Sequence, residues 1–145
     1  MTDSTIMKKI FLAASKQTVW AFLTQKDKLA QWFHPCDSDW EEGQDYQLYM
    51  QAEDGSKKVI IWGSVLQMDI PNKLVYTFCI EPFSEPTTIT CQLDSVYDGT
   101  VLTLTHEGIE AATGDAIMPF LLDLDKGWEE HLDQIRQKFN PSLNC

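Results

Sequence analysis

Residues 99–109 read Gly-Thr-Val-Leu-Thr-Leu-Thr-His-Glu-Gly-Ile, and an amphipathic stretch leading through Gly127-Trp128-Glu129-Glu130-His131-Leu132 follows them. The first segment alternates with the period of two of a half-buried strand. In the second, Ile117, Phe120, Leu121, Leu124, Trp128, Leu132, Ile135 and Phe139 recur at the helical steps of three and four. A last strand that hands over to one long C-terminal helix constrains the fold. The sheet has to curve over the helix's apolar stripe, and that arrangement leaves an apolar cavity between the two. Pro119 is tolerated only in the first turn and Asn140-Pro141 stops the far end, so the helix spans about 20 residues.

Upstream, residues 6–13 mix β-branched and aromatic side chains as a strand does. Ser15 then serves as N-cap for a helix through Val19, Trp20, Phe22 and Leu23. Asp27 is expected to cap a second short helix carrying Leu29, Trp32 and Phe33, which His34-Pro35 ends, because the residue before proline avoids the α region. From Tyr46 the pattern becomes that of antiparallel strands, with Tyr46, Leu48 and Met50 against Gln47, Tyr49 and Gln51. Asp54-Gly55, Ile70-Pro71-Asn72 and Asp98-Gly99 mark the turns. The strands fall over residues 58–68, 73–81, 86–96 and from 99 onward. Leu74, Tyr76, Phe78 and Ile80 share one face, as do Ile89, Cys91 and Leu93, and Leu102, Leu104 and His106. On this register Cys79 points outward and Cys91 inward. After Gly108 a loop through Thr113 and Gly114 reaches the last helix.

The 145 residues fit one domain, 1–145, since a chain of this size buries roughly 68–70% of its surface in one core. No repeat or low-complexity linker divides it. The net charge of −11 argues against nucleic acid and anionic membrane surfaces, both of which select clustered Lys and Arg. Apolar runs such as residues 59–62 are far short of the roughly 20 needed to span a bilayer, and residues 1–9 lack a signal peptide's apolar region. A cytoplasmic protein is expected. Cys36, Cys79, Cys91 and Cys145 form no CxxC pair and read as free thiols. Cys36 with His34, Asp37 and Asp39 has the donor types of a metal site but not a spacing that selects one.

His106 faces inward beside Glu107, where a general acid or base can be written down. A structural role weighs more, because a histidine at a strand end more often bonds a loop or helix terminus. His131 reads as a partly exposed helix residue flanking the stripe. The cavity candidates from the first half of the chain are Trp32, Phe33, Tyr46, Leu48 and Trp62. From the second half they are Tyr76, Phe78, Leu104, His106, Phe120, Leu121, Leu124 and Trp128. Gly127 costs the helix about 1 kcal/mol relative to alanine, which suggests a close backbone approach or space left for a guest, the plainer alternative being a local kink. No nucleophile elbow, phosphate loop, dinucleotide fingerprint or metal set is present in the sequence, so catalytic and metal-ligating residues are assigned to none and no cofactor is expected. The carboxylates Asp123, Asp125, Glu129, Glu130 and Asp133 fall off the stripe, where solvation explains them; Lys126 with Glu130 and Asp133 with Arg136 are neighbours there.

Several segments, in this order and spacing, resemble the activator of Hsp90 ATPase homologue 1-like family, within the START-like and Bet v 1-like superfamily of helix-grip proteins. They are residues 15–23 with the Trp32-Phe33 doublet, Trp62-Gly63 to Pro71 with Leu74-Val75-Tyr76, residues 100–108, and Gly127-Trp128 with Leu132. The resemblance implies an α+β helix-grip fold: a curved antiparallel sheet around a long C-terminal helix, two short helices after the first strand, and often a cavity for an apolar small molecule. The eukaryotic activator carries its Hsp90-stimulating motif in a separate N-terminal domain that these residues do not supply, so chaperone activation is not expected. Ile109 stands where family members usually carry an aromatic, and residues 110–114 make a somewhat long loop that would reshape the pocket mouth.

These readings lead to a non-enzymatic protein that holds a hydrophobic or amphipathic metabolite between the sheet and the last helix, with Tyr46, Tyr76 or His106 fixing its orientation. The alternatives are an interaction module for an Hsp90-type chaperone and, by fold analogy alone, a cyclase- or hydrolase-like enzyme using the same pocket.

Overall fold

A strand, β1 (Ile6–Leu12), leads into two short helices, α1 (Lys16–Thr24) and α2 (Lys26–Trp32), in the computed structural model, which describes residues 5–51, 54–81, 83–114 and 117–139. The strands β2 (Asp45–Gln51), β3 (Lys57–Asp69), β4 (Lys73–Phe78), β5 (Thr87–Val96) and β6 (Gly99–Glu107) follow, then α3 (Ile109–Thr113) and α4 (Ile117–Phe139). All six strands pair antiparallel in one sheet, ordered β1-β6-β5-β4-β3-β2, and α4 lies against it. This is the helix-grip arrangement. The stop at Asn140-Pro141, Cys145 and the side chain of Ile117 lie outside the described residues.

The helix ends follow from backbone chemistry. Ser15 Oγ accepts the Thr18 N–H at 3.3 Å and caps α1 as expected. At α2 the expected cap is displaced: Asp27 sits within the first turn, and Asp39 Oδ1 reaches back across the loop to accept the Lys26 N–H at 2.9 Å. A free N–H at a helix start takes whichever carboxylate the tertiary fold brings near. The loop expected after Gly108 is instead α3, entered through Gly108 at φ +87°, a left-handed turn that glycine adopts without strain. Asp133 and Arg136 pair at 2.9 Å, whereas no ion pair joins Lys126 to Glu130.

The inward faces follow the period of two. Leu74, Tyr76 and Phe78 on β4, Ile89, Cys91 and Leu93 on β5, and Leu102, Leu104 and His106 on β6 are all buried, and they meet Trp128, Leu132 and Ile135 of α4 in one core. Each fully buried aliphatic or aromatic side chain contributes about 1.5–3 kcal/mol relative to exposure. Lys8 on β1 ties α4 down at 2.8 Å from both Asp125 and Glu129. β4 ends at Phe78, and Cys79 beyond it bridges to Trp62 and is buried rather than open to water. Cys36, Cys79 and Cys91 are free thiols.

Two local features shape the β2–β3 end of the sheet. Leu48 lies opposite Ile61 but Tyr49 opposite Val59, so Ile60 is the extra residue of a β-bulge. A bulge bends its strand and re-aims the side chains around it. At Gly63, a Cβ would stand 2.2 Å from the Thr77 carbonyl oxygen, so only glycine lets β4 approach this closely.

Candidate functional site

Between the bulged end of the sheet and the middle of α4 lies an open cleft of about 300 Å³. Met50, Ile60 and Ile61 of the β2–β3 pair, Phe78 and Ile80 from β4 and its continuation, and Phe33 after α2 form its apolar walls; Asp123, Leu124, Gly127, Trp128 and His131 of α4 complete it. The bulge explains how Ile60 and Ile61, adjacent in sequence, both reach the same cleft. Nothing lies within 4 Å of the position a Gly127 Cβ would take, so this glycine leaves room beside Trp128. Phe33 stacks on Trp128 at 5.4 Å between ring centres and on Trp32 at 5.0 Å.

Behind the Trp128 ring a hydrogen-bonded chain ties α4 to the sheet. Trp128 Nε1–H donates to His106 Nδ1 at 3.0 Å, and an indole N–H can only donate. His106 Nδ1 therefore carries a lone pair and the ring proton sits on Nε2, which donates to Thr87 Oγ1 at 2.7 Å. Thr87 in turn donates to the Phe78 carbonyl oxygen at 2.6 Å. His106 is fully buried, and burial lowers its pKa from 6.5 to about 3, so it is neutral at physiological pH. With both ring nitrogens committed, His106 has neither a free proton nor a free lone pair for acid–base chemistry. Its role is to hold a strand and a helix together.

His131, in the cleft lining, packs against His34, which is outside it. His131 Nδ1 is 3.2 Å from the Trp32 carbonyl oxygen, and its ring meets those of Phe33 and His34 edge-on at 5.0 Å each. Burial, then the charge of His131, lowers His34 to about 4; burial lowers His131 as well, against the opposing pull of the Trp32 carbonyl. A second hollow, of about 260 Å³ at the start of β2, is lined by Trp40, Tyr46 and Val65 together with Asp37, Asp39, Glu41 and Asp45. Among the described residues no three His, Cys, Asp or Glu side chains gather closely enough to hold a metal ion, and Cys36 joins no such group.

The cavity candidates from the sequence separate into four sets. Phe33, Phe78, Leu124 and Trp128 line the cleft. Trp32, Leu48, Tyr76, Leu104 and His106 are buried in the core away from it: Trp32 donates its indole N–H to the Phe22 carbonyl at 2.6 Å, and Tyr76 sits edge-on to Trp40 at 4.8 Å. Tyr46, also buried, donates its hydroxyl to the Thr77 carbonyl at 2.5 Å, so neither Tyr46 nor His106 is free to orient a guest. Trp62 lies on the other face of the sheet, half-buried beside Thr77, Cys79 and Pro86. Phe120 packs on Phe83 at 5.8 Å and Leu121 packs against the core, and neither reaches the cleft. Met50, Ile60, Ile61, Ile80, Asp123, Gly127 and His131 were not foreseen as a lining. Part of that set was visible: Leu124, Gly127, Trp128 and His131 stand at i, i+3, i+4 and i+7, one stripe of a helix.

Residues 13–140, most of the chain and including every cleft residue, match the model of the family described as activator of Hsp90 ATPase homolog 1-like protein. The chain belongs to this family. No curated protein matches the chain. Among solved structures it is similar to protein MLL2253 of Mesorhizobium loti, at 19% identity and a TM-score of 0.76 over 92% of this chain and 94% of that one. Protein CV1439 of Chromobacterium violaceum gives 25% identity and a TM-score of 0.75 over 95% and 98%. CalU16 of Micromonospora echinospora gives 22% and 0.73 over 92% and 72%. These likenesses are of fold, and the family's START-like, Bet v 1-like helix grip is the fold described above. No described helix is long and apolar enough to cross a membrane.

Proposed function

We propose that the protein binds a small apolar or amphipathic molecule in the cleft between the β2–β4 end of the sheet and α4. The observation that carries this reading is the open cleft itself, walled by Phe33, Met50, Ile60, Ile61, Phe78, Ile80, Leu124 and Trp128. Its volume of about 300 Å³ is at the small end of the range for small-molecule pockets, and its composition, apolar walls with a few polar groups, is theirs as well. Gly127 supports the reading independently. A helix interior accepts glycine at a cost of about 1 kcal/mol, and here the vacated space opens onto the cleft rather than onto a packed neighbour.

The test is a thermal-shift screen against fatty acids, sterols, flavonoids and polyketide-like aromatics, followed by amide NMR. A ligand at 100 times its Kd stabilises the folded state by about 2.7 kcal/mol, which raises Tm by roughly 5–15 °C for a chain of this size. Hits whose amide shifts centre on Phe33, Gly127 and Trp128 are expected. Silence across the library with a well-folded protein, or shifts centred elsewhere, would overturn the reading and turn attention to a protein partner.

A further inference from the structure

Among the described residues, the side-chain polar atoms of the cleft that are left without a protein partner all have the same sense. The Trp32 carbonyl can only accept, so the His131 Nδ1 beside it carries the ring proton. That leaves the lone pair on His131 Nε2, which has no partner among the described residues, is not buried, and belongs to a residue lining the cleft. Among the described residues Trp128 offers the one other side-chain N–H of the lining, and His106 already takes it. Asp123, at the α4 edge, is acceptor-only when ionised. Among the described residues no Lys, Arg, Ser, Thr, Tyr, Asn or Gln lines the cleft. The described side chains there present two acceptors, one of them negatively charged, and no free donor.

We propose that the ligand of this cleft is a neutral ring system bearing a phenol or alcohol hydroxyl, whose hydrogen is taken by His131 Nε2, and that carboxylates and phosphates of the same size are excluded. The inference rests on the cleft being a binding site. A hydroxyl brings the donor that the lining lacks, while an anion would set its own lone pairs against Nε2 and the Asp123 charge without a cation to offset them. The net charge of −11 adds to that repulsion. Burial keeps His131 and His34 below the ordinary histidine range, which preserves the acceptor at neutral pH.

Three probes with one aromatic body separate the possibilities: 2-naphthol, 2-methoxynaphthalene and 2-naphthoate, titrated at pH 7 with amide NMR. The naphthol should bind about tenfold more tightly than the methoxy compound, the worth of one net hydrogen bond, and the naphthoate most weakly. His131→Phe should bring the naphthol-to-methoxy ratio close to one while the methoxy compound still binds. Asp123→Asn, at an exposed position, should improve naphthoate binding severalfold without affecting the fold. Naphthoate binding as tightly as naphthol, or a naphthol preference that survives in His131→Phe, would overturn the hydroxyl assignment and leave the cleft reading intact. Failure of all three probes to shift the Phe33, Gly127 and Trp128 amides would overturn the cleft reading itself.

Discussion

Acidification from pH 7 to pH 5 should weaken the folded state by about 2 kcal/mol through His106 alone. Burial holds this residue at about 3 when folded, against 6.5 ordinarily. Below 6.5 the unfolded chain takes up a proton that the folded protein refuses, so stability falls as the pH falls and continues to fall until the folded value is reached. pH 5 lies 1.5 units beneath the unfolded value and above the folded one, and at about 1.36 kcal/mol per unit the loss is ~2 kcal/mol. Burial also lowers His34 and His131, which contribute over the same range, so the effect is isolated against His106→Gln. Its carboxamide can accept from Trp128 and donate to Thr87, but it does not titrate. Urea unfolding followed by far-UV circular dichroism at pH 7, 6 and 5 should show the wild type losing about 2 kcal/mol more than the variant. Parallel profiles would mean that His106 is protonated in the folded protein and that the chain from Trp128 to Phe78 is wrong. His106→Leu, which strands the Trp128 N–H, should cost about 2 kcal/mol at pH 7.

Gly127→Ala should raise stability by up to about 1 kcal/mol in urea, because its Cβ meets nothing within 4 Å, whereas Gly127→Leu should fill the cleft and abolish any thermal shift by ligand. Gly63→Ala should destabilise by about 2 kcal/mol or more, since the Thr77 carbonyl oxygen at 2.2 Å must move; unchanged unfolding would contradict the tight β3–β4 approach. Asp39→Ala should cost about 1 kcal/mol by removing the acceptor for the Lys26 N–H, with protection of α2 amides from hydrogen exchange falling first.

The architecture was legible wherever a pattern had a single period. β4, β5 and β6 alternate cleanly, and their inward residues are the buried ones; the α4 stripe gave both its helix and its sheet-facing side. Trp62 was misplaced because residues 59–62, Val-Ile-Ile-Trp, are apolar throughout and carry no phase, so its size suggested the cavity while its parity put it on the other face. Ile60 was illegible for a related reason: a bulge is a property of two paired strands, and neither one shows it alone. Asp39 as the cap of α2 is a contact across thirteen residues that no local rule supplies. His131 was readable as a helix neighbour of Trp128, but its tautomer depends on the Trp32 carbonyl, which only the packed fold brings near.

The chain that pins Trp128 makes one end of the cleft stiff and leaves the other soft. The indole is fixed at its edge by His106 and stacked on its face by Phe33, so its plane is set when the protein folds and cannot tilt to suit a guest. The opposite lip includes Met50, 55% exposed on its edge strand, an unbranched side chain with three torsions to adjust. Under the proposed binding function, a molecule entering here would meet a hard template for the thickness of its inner ring and a pliant collar around whatever projects outward. Selectivity then falls on the buried end, and compounds sharing one flat head with tails of differing length should be accepted as a series.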